Sequence, residues 1–260
     1  MDVIILCGGK GTRLSEETSN KPKPMVEIGG KPILWHIMKI YSHYGINRFI
    51  LALGYKGDQI KQYFYNYKIT GADFSLKVSP EYDIEYLNHS DEKDWEIVFV
   101  DTGEETLKGG RLKRVEKYIK NDLFHLTYGD GVCDVDLNKL VQFHKSHDCL
   151  GTLTAVRPPS RFGELNIGEN DIILNLEEKP QMGRGLINGG FFVFDRKMFS
   201  YLTADEGCDF EFGPLQQIAK ESQLKAFMHE GFWQCMDNIR ERDYLDKQVK
   251  DNIAPWMVWE

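Results

Sequence analysis

Val3-Ile4-Ile5-Leu6-Cys7-Gly8-Gly9-Lys10-Gly11-Thr12-Arg13-Leu14 is the stretch that decides the fold. Its opening apolar run stops at glycine and reads as a strand buried on both faces, as strands of parallel sheets are. Three glycines within the next four residues let the backbone approach an anion closely, and their N–H groups can form a concave donor surface. Arg13 adds a fixed cationic fork and Lys10 a mobile charge. The spacing matches neither GxxxxGK[ST] nor GxGxxG, because Thr12-Arg13-Leu14 follows Gly9-Lys10-Gly11. Alone, the loop also reads as a glycine-rich turn without a ligand. Its place after the first strand of a parallel sheet favours a triphosphate.

Outward from that strand, short apolar strands alternate with helical patterns. The spacing predicts a helix over 33–44, a strand over 49–53, a helix over 58–67, and strands over 74–78 and 96–100. A helix over 112–120, a strand over 123–127, a helix over 137–147 and a strand over 151–156 follow. This rhythm implies an α/β, doubly wound, mostly parallel central sheet with ligands beyond the carboxyl ends of its strands. After Arg157-Pro158-Pro159 shorter strands are expected over 164–167, 172–177 and 186–194, then helices over 212–221 and 239–250. We read one domain, with 1–157 as a nucleotide half and 158–260 as a second half-site plus the final helix. The segment 81–95 is polar and reads as a surface loop or lid.

With 42% hydrophobic residues, the 260-residue chain can bury a sizeable core. The net charge of −8 is dispersed, which argues against a nucleic-acid surface and requires any phosphate site to gather its cations locally. No apolar run approaches the ~20 residues of a membrane span, and none resembles a signal core, so a cytoplasmic chain without membrane attachment is expected. Five cysteines without a CxxC pair read as reduced thiols.

Lys21-Pro22-Lys23-Pro24-Met25 follows the glycine loop. Its prolines fix φ and are expected to hold the segment extended, presenting Lys23; the alternative is a solvated surface lysine. Leu126-Thr127-Tyr128-Gly129-Asp130-Gly131 sets an aspartate between glycines just past a strand. Gly231-Phe232-Trp233-Gln234-Cys235-Met236-Asp237 offers a second carboxylate. Two oxygen donors plus phosphates suit Mg²⁺, although Asp130 also reads as a turn aspartate and Asp237 as a helix N-cap.

The glycine loop followed by Lys21-Pro22-Lys23-Pro24-Met25 resembles the signature of the sugar-phosphate nucleotidyltransferases, with Cys7 where alanine is usual. The resemblance implies a Rossmann-like nucleotidyltransferase fold in which Leu6, Cys7, Gly8, Gly9, Lys10, Gly11, Thr12, Arg13, Lys23 and Gly129 hold the nucleotide. It also implies that Arg13, Lys23 and Asp130 act in catalysis and that Asp130 and Asp237 share the metal. Through Arg161-Phe162-Gly163-Glu164-Leu165, Glu177-Glu178-Lys179-Pro180 and Ile187-Asn188-Gly189-Gly190-Phe191, it places the sugar phosphate on Gly163, Glu178, Lys179, Asn188 and Gly189.

Within that family the chain is similar to the cytidylyl-transferring members that act on glucose 1-phosphate. Val100-Asp101-Thr102-Gly103, Gly109-Gly110-Arg111-Leu112-Lys113-Arg114 and the ending Ala254-Pro255-Trp256 to Trp259-Glu260 carry that likeness. It implies CTP and glucose 1-phosphate as substrates, with Arg111 donating to the cytosine carbonyl, Gly110 leaving the base room and Thr106 adding a polar contact. A basic residue in a helix's first turn is disfavoured by the dipole, which also points to a ligand at Arg111. A homo-oligomer and a role in deoxysugar and lipopolysaccharide O-antigen synthesis are likewise implied, and the aromatic tail Trp256 to Trp259 suits an interface. The rivals are a uridylyl- or thymidylyltransferase, a non-catalytic nucleotide-sugar-binding regulatory subunit, and, least supported, a dinucleotide-dependent oxidoreductase.

Overall fold

The computed structural model describes residues 1–78, 83–88, 94–159, 164–167, 172–177 and 185–259. Its centre is a mixed sheet of β1 (Asp2–Cys7), β2 (Arg48–Leu53), β3 (Glu96–Asp101), β4 (Leu123–Tyr128), β5 (Gly151–Val156), β6 (Phe192–Asp195) and β7 (Leu224–His229). The spatial order is β7-β5-β6-β4-β1-β2-β3. Pairing among these seven is parallel except along β6, which runs antiparallel to both β4 and β5, and the short strand Ile187–Asn188 adds an eighth, also antiparallel to β5. The α/β, mostly parallel sheet expected from the strand–helix rhythm is therefore present.

β1 lies in the middle because every one of its residues is buried. Val3, Ile5 and Cys7 face one apolar cluster while Ile4 and Leu6 face the other; the buried Asp2 at the strand's start is held by Arg48 and by the Lys120 N–H. Helix α1 (Ile33–His43) covers the first face with Ile33, Leu34, Ile37, Met38 and Tyr41; α3 (Lys108–Val115) covers the second with Leu112 and Val115. Between them in the chain lies α2 (Gly57–Tyr65), and α4 (Leu137–Lys145) and α5 (Ile239–Lys250) follow. After β1 the chain moves outward through β2 and β3, then returns to place β4 on β1's other side. The order reverses between β1 and β4, and open α/β sheets bind ligands at the carboxyl ends beside such a reversal.

Several expectations need correction. Phe74–Lys77 is a strand, but among the described residues it pairs only with Asp83–Tyr86, in a separate two-stranded sheet that takes in part of the expected loop. Helix α3 starts at Lys108, four residues before the apolar periodicity begins. Gly109 and Gly110 permit this, since a Cβ on them would meet Cys208 Sγ at 2.7 Å and Asp205 O at 2.4 Å. Gly110 thus admits the neighbouring backbone at Asp205. The strand expected over 186–194 is broken into Ile187–Asn188 and β6, because Gly190 and Phe191 both take positive φ (75° and 48°). The helix over 212–221 opens with a wide turn at Glu211–Leu215, where Phe212 and Gly213 are non-helical, before Gln216–Lys220. Strand β7 was not anticipated at all. The aromatic tail turns inward: Trp256 is fully buried, stacks on Phe232 at 5.3 Å and donates to His36 Nδ1 at 3.4 Å.

Candidate active site

A cleft of about 510 Å³ opens at the carboxyl ends of β1 and β4. It is lined by Leu6, Cys7, Gly8, Gly9, Gly11, Thr12, Arg13 and Lys23 from one side and Tyr128, Gly129 and Asp130 from the other. Thr106, Lys108, Arg111, Asn188, Gly189, Trp233 and Asp237 complete it. Most of the expected site residues therefore converge. Lys10 and Gly110 do not line it: Lys10 points outward to Glu105 at 2.5 Å. Gly163, Glu178 and Lys179 lie outside the described residues.

Glycine is required at specific points of the loop. Gly11 has φ +62°, and a Cβ there would meet Thr18 Cγ2 at 2.9 Å and Lys23 Cβ at 3.1 Å. A Cβ on Gly8 would lie 2.1 Å from Arg111 Nη1, whereas one on Gly9 would meet nothing within 4 Å. Gly129 is fixed against β1 by its N–H donating to Leu6 O at 3.1 Å.

Lys23 is not on an extended arm. Pro22 is extended (φ −70°, ψ 148°), but Lys23–Met25 forms a 3-10 turn, which drives the lysine into the cleft at 7% exposure. There its ammonium donates to Asp130 Oδ2 and Asp237 Oδ1, both at 2.6 Å, and Arg13 Nη1 donates to Asp237 Oδ2 at 2.5 Å. Burial pulls the Lys23 pKa down, but the Asp130 charge and the hydrogen bonds to both carboxylates outweigh it and raise it overall. The lysine is a fixed cation.

The aspartates meet because two short strands pair. Gly131–Cys133 runs antiparallel to Trp233–Cys235, and Met236 N donates to Asp130 O at 2.8 Å, so the carboxylates flank one end of this ladder. Asp237 is not the N-cap of α5. Asn238 caps it, accepting from Glu241 N at 3.0 Å, while Glu241 Oε2 accepts from Asp237 N at 2.6 Å. These two bonds at the start of α5 involve only the backbone of Asp237 and leave its carboxylate facing the cleft. Two carboxylates near enough to share one ammonium form an all-oxygen donor set that a hard divalent cation fits. Cys235, beside them, is no nucleophile: burial first, then the Asp237 charge, pushes its thiol up to about 12.

Arg111 lines the cleft but is itself buried, 4% exposed. Its Nη1 donates to Leu53 O, Thr102 Oγ1 and Gly103 O, and its Nη2 to Gly8 O and Glu104 O, at 2.7–3.0 Å. Backbone carbonyls thus compensate the cation at this helix start, and the guanidinium ties the glycine loop to the segment after β3. Thr106 accepts from Arg114 Nη1 at 2.8 Å. On the facing wall, Asn188 Oδ1 accepts from Gly190 N at 3.0 Å and Trp233 Nε1 donates to Gly189 O at 2.7 Å, which fixes the strand break. Sequence reasoning did not single out the lining residues Lys108, Tyr128 and Trp233; all three stand in or beside motif stretches, but nothing in their spacing separates them from surface and core positions.

The sheet reversal, the glycine loop and the lysine held between two carboxylates define a site for transferring groups between phosphates. Residues 2–241 match the nucleotidyl transferase family model, and the chain belongs to that family. Within it, the chain is 48% identical over the whole of both sequences to a glucose-1-phosphate cytidylyltransferase of Salmonella typhimurium. It is 42% identical, again over both full lengths, to a probable glucose-1-phosphate cytidylyltransferase of Bacillus subtilis. Among solved structures, HddC from Yersinia pseudotuberculosis complexed with GMP-PN is 26% identical with a TM-score of 0.67, covering 95% of this chain and 99% of that one. Among the described residues, no helix is long and apolar enough to cross a membrane.

Proposed function

We propose that the chain transfers a cytidylyl group from CTP to α-D-glucose 1-phosphate, giving CDP-glucose and pyrophosphate. The observation that carries the transfer reaction is the meeting of Arg13, Lys23, Asp130 and Asp237 at the mouth of the glycine loop. The choice of CTP and glucose 1-phosphate is supported by full-length identity to the cytidylyltransferases. An oxygen of the sugar phosphate attacks the α-phosphorus of CTP in line, the bond to the β-phosphate oxygen breaks, and pyrophosphate departs with the electron pair. No covalent enzyme intermediate is needed.

Both reactants are polyanions, so positioning and charge neutralisation are the catalytic tasks. The N–H groups of Gly8, Gly9 and Gly11 receive the triphosphate, with Arg13 and Lys23 as its cationic partners. Asp130 and Asp237 are the residues that would hold Mg²⁺, which when bound neutralises charge on the phosphate oxygens. Arg111 and Thr106 shape the base side, while Asn188 and Gly189, with Gly163, Glu178 and Lys179, take the acceptor. The likeness to these enzymes also supports a cytoplasmic homo-oligomer supplying CDP-glucose for deoxysugars of bacterial surface polysaccharide. Pyrophosphate release from CTP, UTP and dTTP, each with glucose 1-phosphate, tests the reading. CTP is expected to be preferred; release only with UTP or dTTP would overturn the choice of base, and no release with any of them would overturn the reaction.

A further inference from the structure

Lys108 stands on the cleft wall away from the aspartates, and no role follows for it from the glycine loop or the carboxylate pair. It is the first residue of α3, its side chain is 43% exposed, and it lines the cleft. Its ammonium donates to Glu211 Oε1 at 2.5 Å and lies 5.6 Å from the centre of the Tyr128 ring. The same carboxylate oxygen accepts from the Tyr128 hydroxyl at 2.8 Å, and Asn188 Nδ2 donates to that hydroxyl at 3.2 Å. Burial, followed by the Glu211 charge, raises the Tyr128 pKa, so the phenol remains protonated and the relay keeps one direction. The chain Lys108–Glu211–Tyr128–Asn188 therefore joins a cation to the residues taken above as the acceptor side.

The four cations lining the cleft among the described residues differ in their commitments. Arg13 and Lys23 are held by the aspartates, and Arg111 is buried on carbonyls. Among them Lys108 alone combines substantial exposure with a position beside Tyr128, whose hydroxyl Asn188 meets. A flexible ammonium resting on one carboxylate can turn toward an incoming dianion, and the Tyr128 hydroxyl keeps Glu211 Oε1 hydrogen-bonded at 2.8 Å when it does. We propose that Lys108 is a further substrate-binding residue, contacting the phosphate of the acceptor sugar phosphate, and that Glu211 is its positioning residue. This rests on the reaction proposed above.

The test is steady-state kinetics of the full-length protein with each substrate varied in turn. Lys108→Ala is expected to raise KM for glucose 1-phosphate by about tenfold or more, the scale of one lost charge-assisted hydrogen bond, while leaving KM for CTP within about twofold. Lys108→Arg is expected to recover most of the loss, and Glu211→Gln to raise the same KM by a smaller factor. As Lys108 is half-exposed and packs at a helix start, the melting temperature of Lys108→Ala should stay close to the parent's, which separates a binding defect from a folding defect. A rise confined to KM for CTP, an equal rise in both, or an unchanged KM for glucose 1-phosphate would overturn the assignment. Absence of pyrophosphate release by the unsubstituted protein would instead overturn the underlying reaction.

Discussion

Replacing Lys23 by methionine should move catalysis and metal affinity in opposite directions. Lys23 and Arg13 supply two positive charges that balance the two negative charges of Asp130 and Asp237, with the Glu241 carboxylate close beside Asp237. A divalent cation arriving alone must displace an ammonium bonded at 2.6 Å to both carboxylates. A triphosphate changes this by offering Lys23 and Arg13 new anionic partners. Each charge-assisted hydrogen bond contributes about 1.5–3 kcal/mol. Allowing for the 29% exposure of the Asp130 side chain and for repair of the pair by water, we take ~1.5–3 kcal/mol in total, or ~10–100-fold in Kd. Lys23→Met should therefore bind Mn²⁺ about 10–100-fold more tightly without nucleotide, measured by electron paramagnetic resonance titration. Its turnover with CTP and glucose 1-phosphate should fall by at least ~100-fold, as for loss of one preorganised charge. Unchanged or weaker Mn²⁺ binding by the variant would refute the competition, and near-normal turnover would remove Lys23 from the mechanism.

Neighbouring glycines of the loop should respond unequally to alanine. Gly8→Ala drives a methyl into the Arg111 guanidinium and should cut kcat/KM for CTP by about tenfold or more, while Gly9→Ala, facing open space, should stay within about twofold; equal effects would contradict the packing. Acid should destabilise the fold through buried histidines. Burial holds His125 down to about 3 and His36 down to about 4, against an ordinary value of 6.5. Because the folded-state values are depressed, their contribution is complete above about pH 6.5 and is lost as pH falls toward the folded values. For His125 alone the loss between pH 7 and pH 5 is about 2 kcal/mol, readable by urea denaturation; His125→Phe should lack that share, and an unchanged pH dependence in the variant would refute it.

The sequence by itself determined the sheet's centre and its edge of function. Val3 to Cys7 is apolar at every position, so it had to be buried on both faces, and the glycines after it had to lie at the sheet's carboxyl edge. The strands and helices written in strong periodicity, β1 through β5 and α5, follow from that local pattern. Pairing between distant segments is not local. β7 has weak alternation and owes its place to a parallel ladder with β5, and two three-residue strands carry too little pattern to be seen, although their pairing brings Asp130 to Asp237. The 3-10 turn that swings Lys23 between those carboxylates, the carbonyls that enclose Arg111 and the carboxylate that holds Lys108 were likewise decided by the tertiary structure. Sequence names which side chains can carry charge. Only the folded chain decides which charges neutralise one another and which remain for a ligand, because that depends on distances between residues up to 224 positions apart.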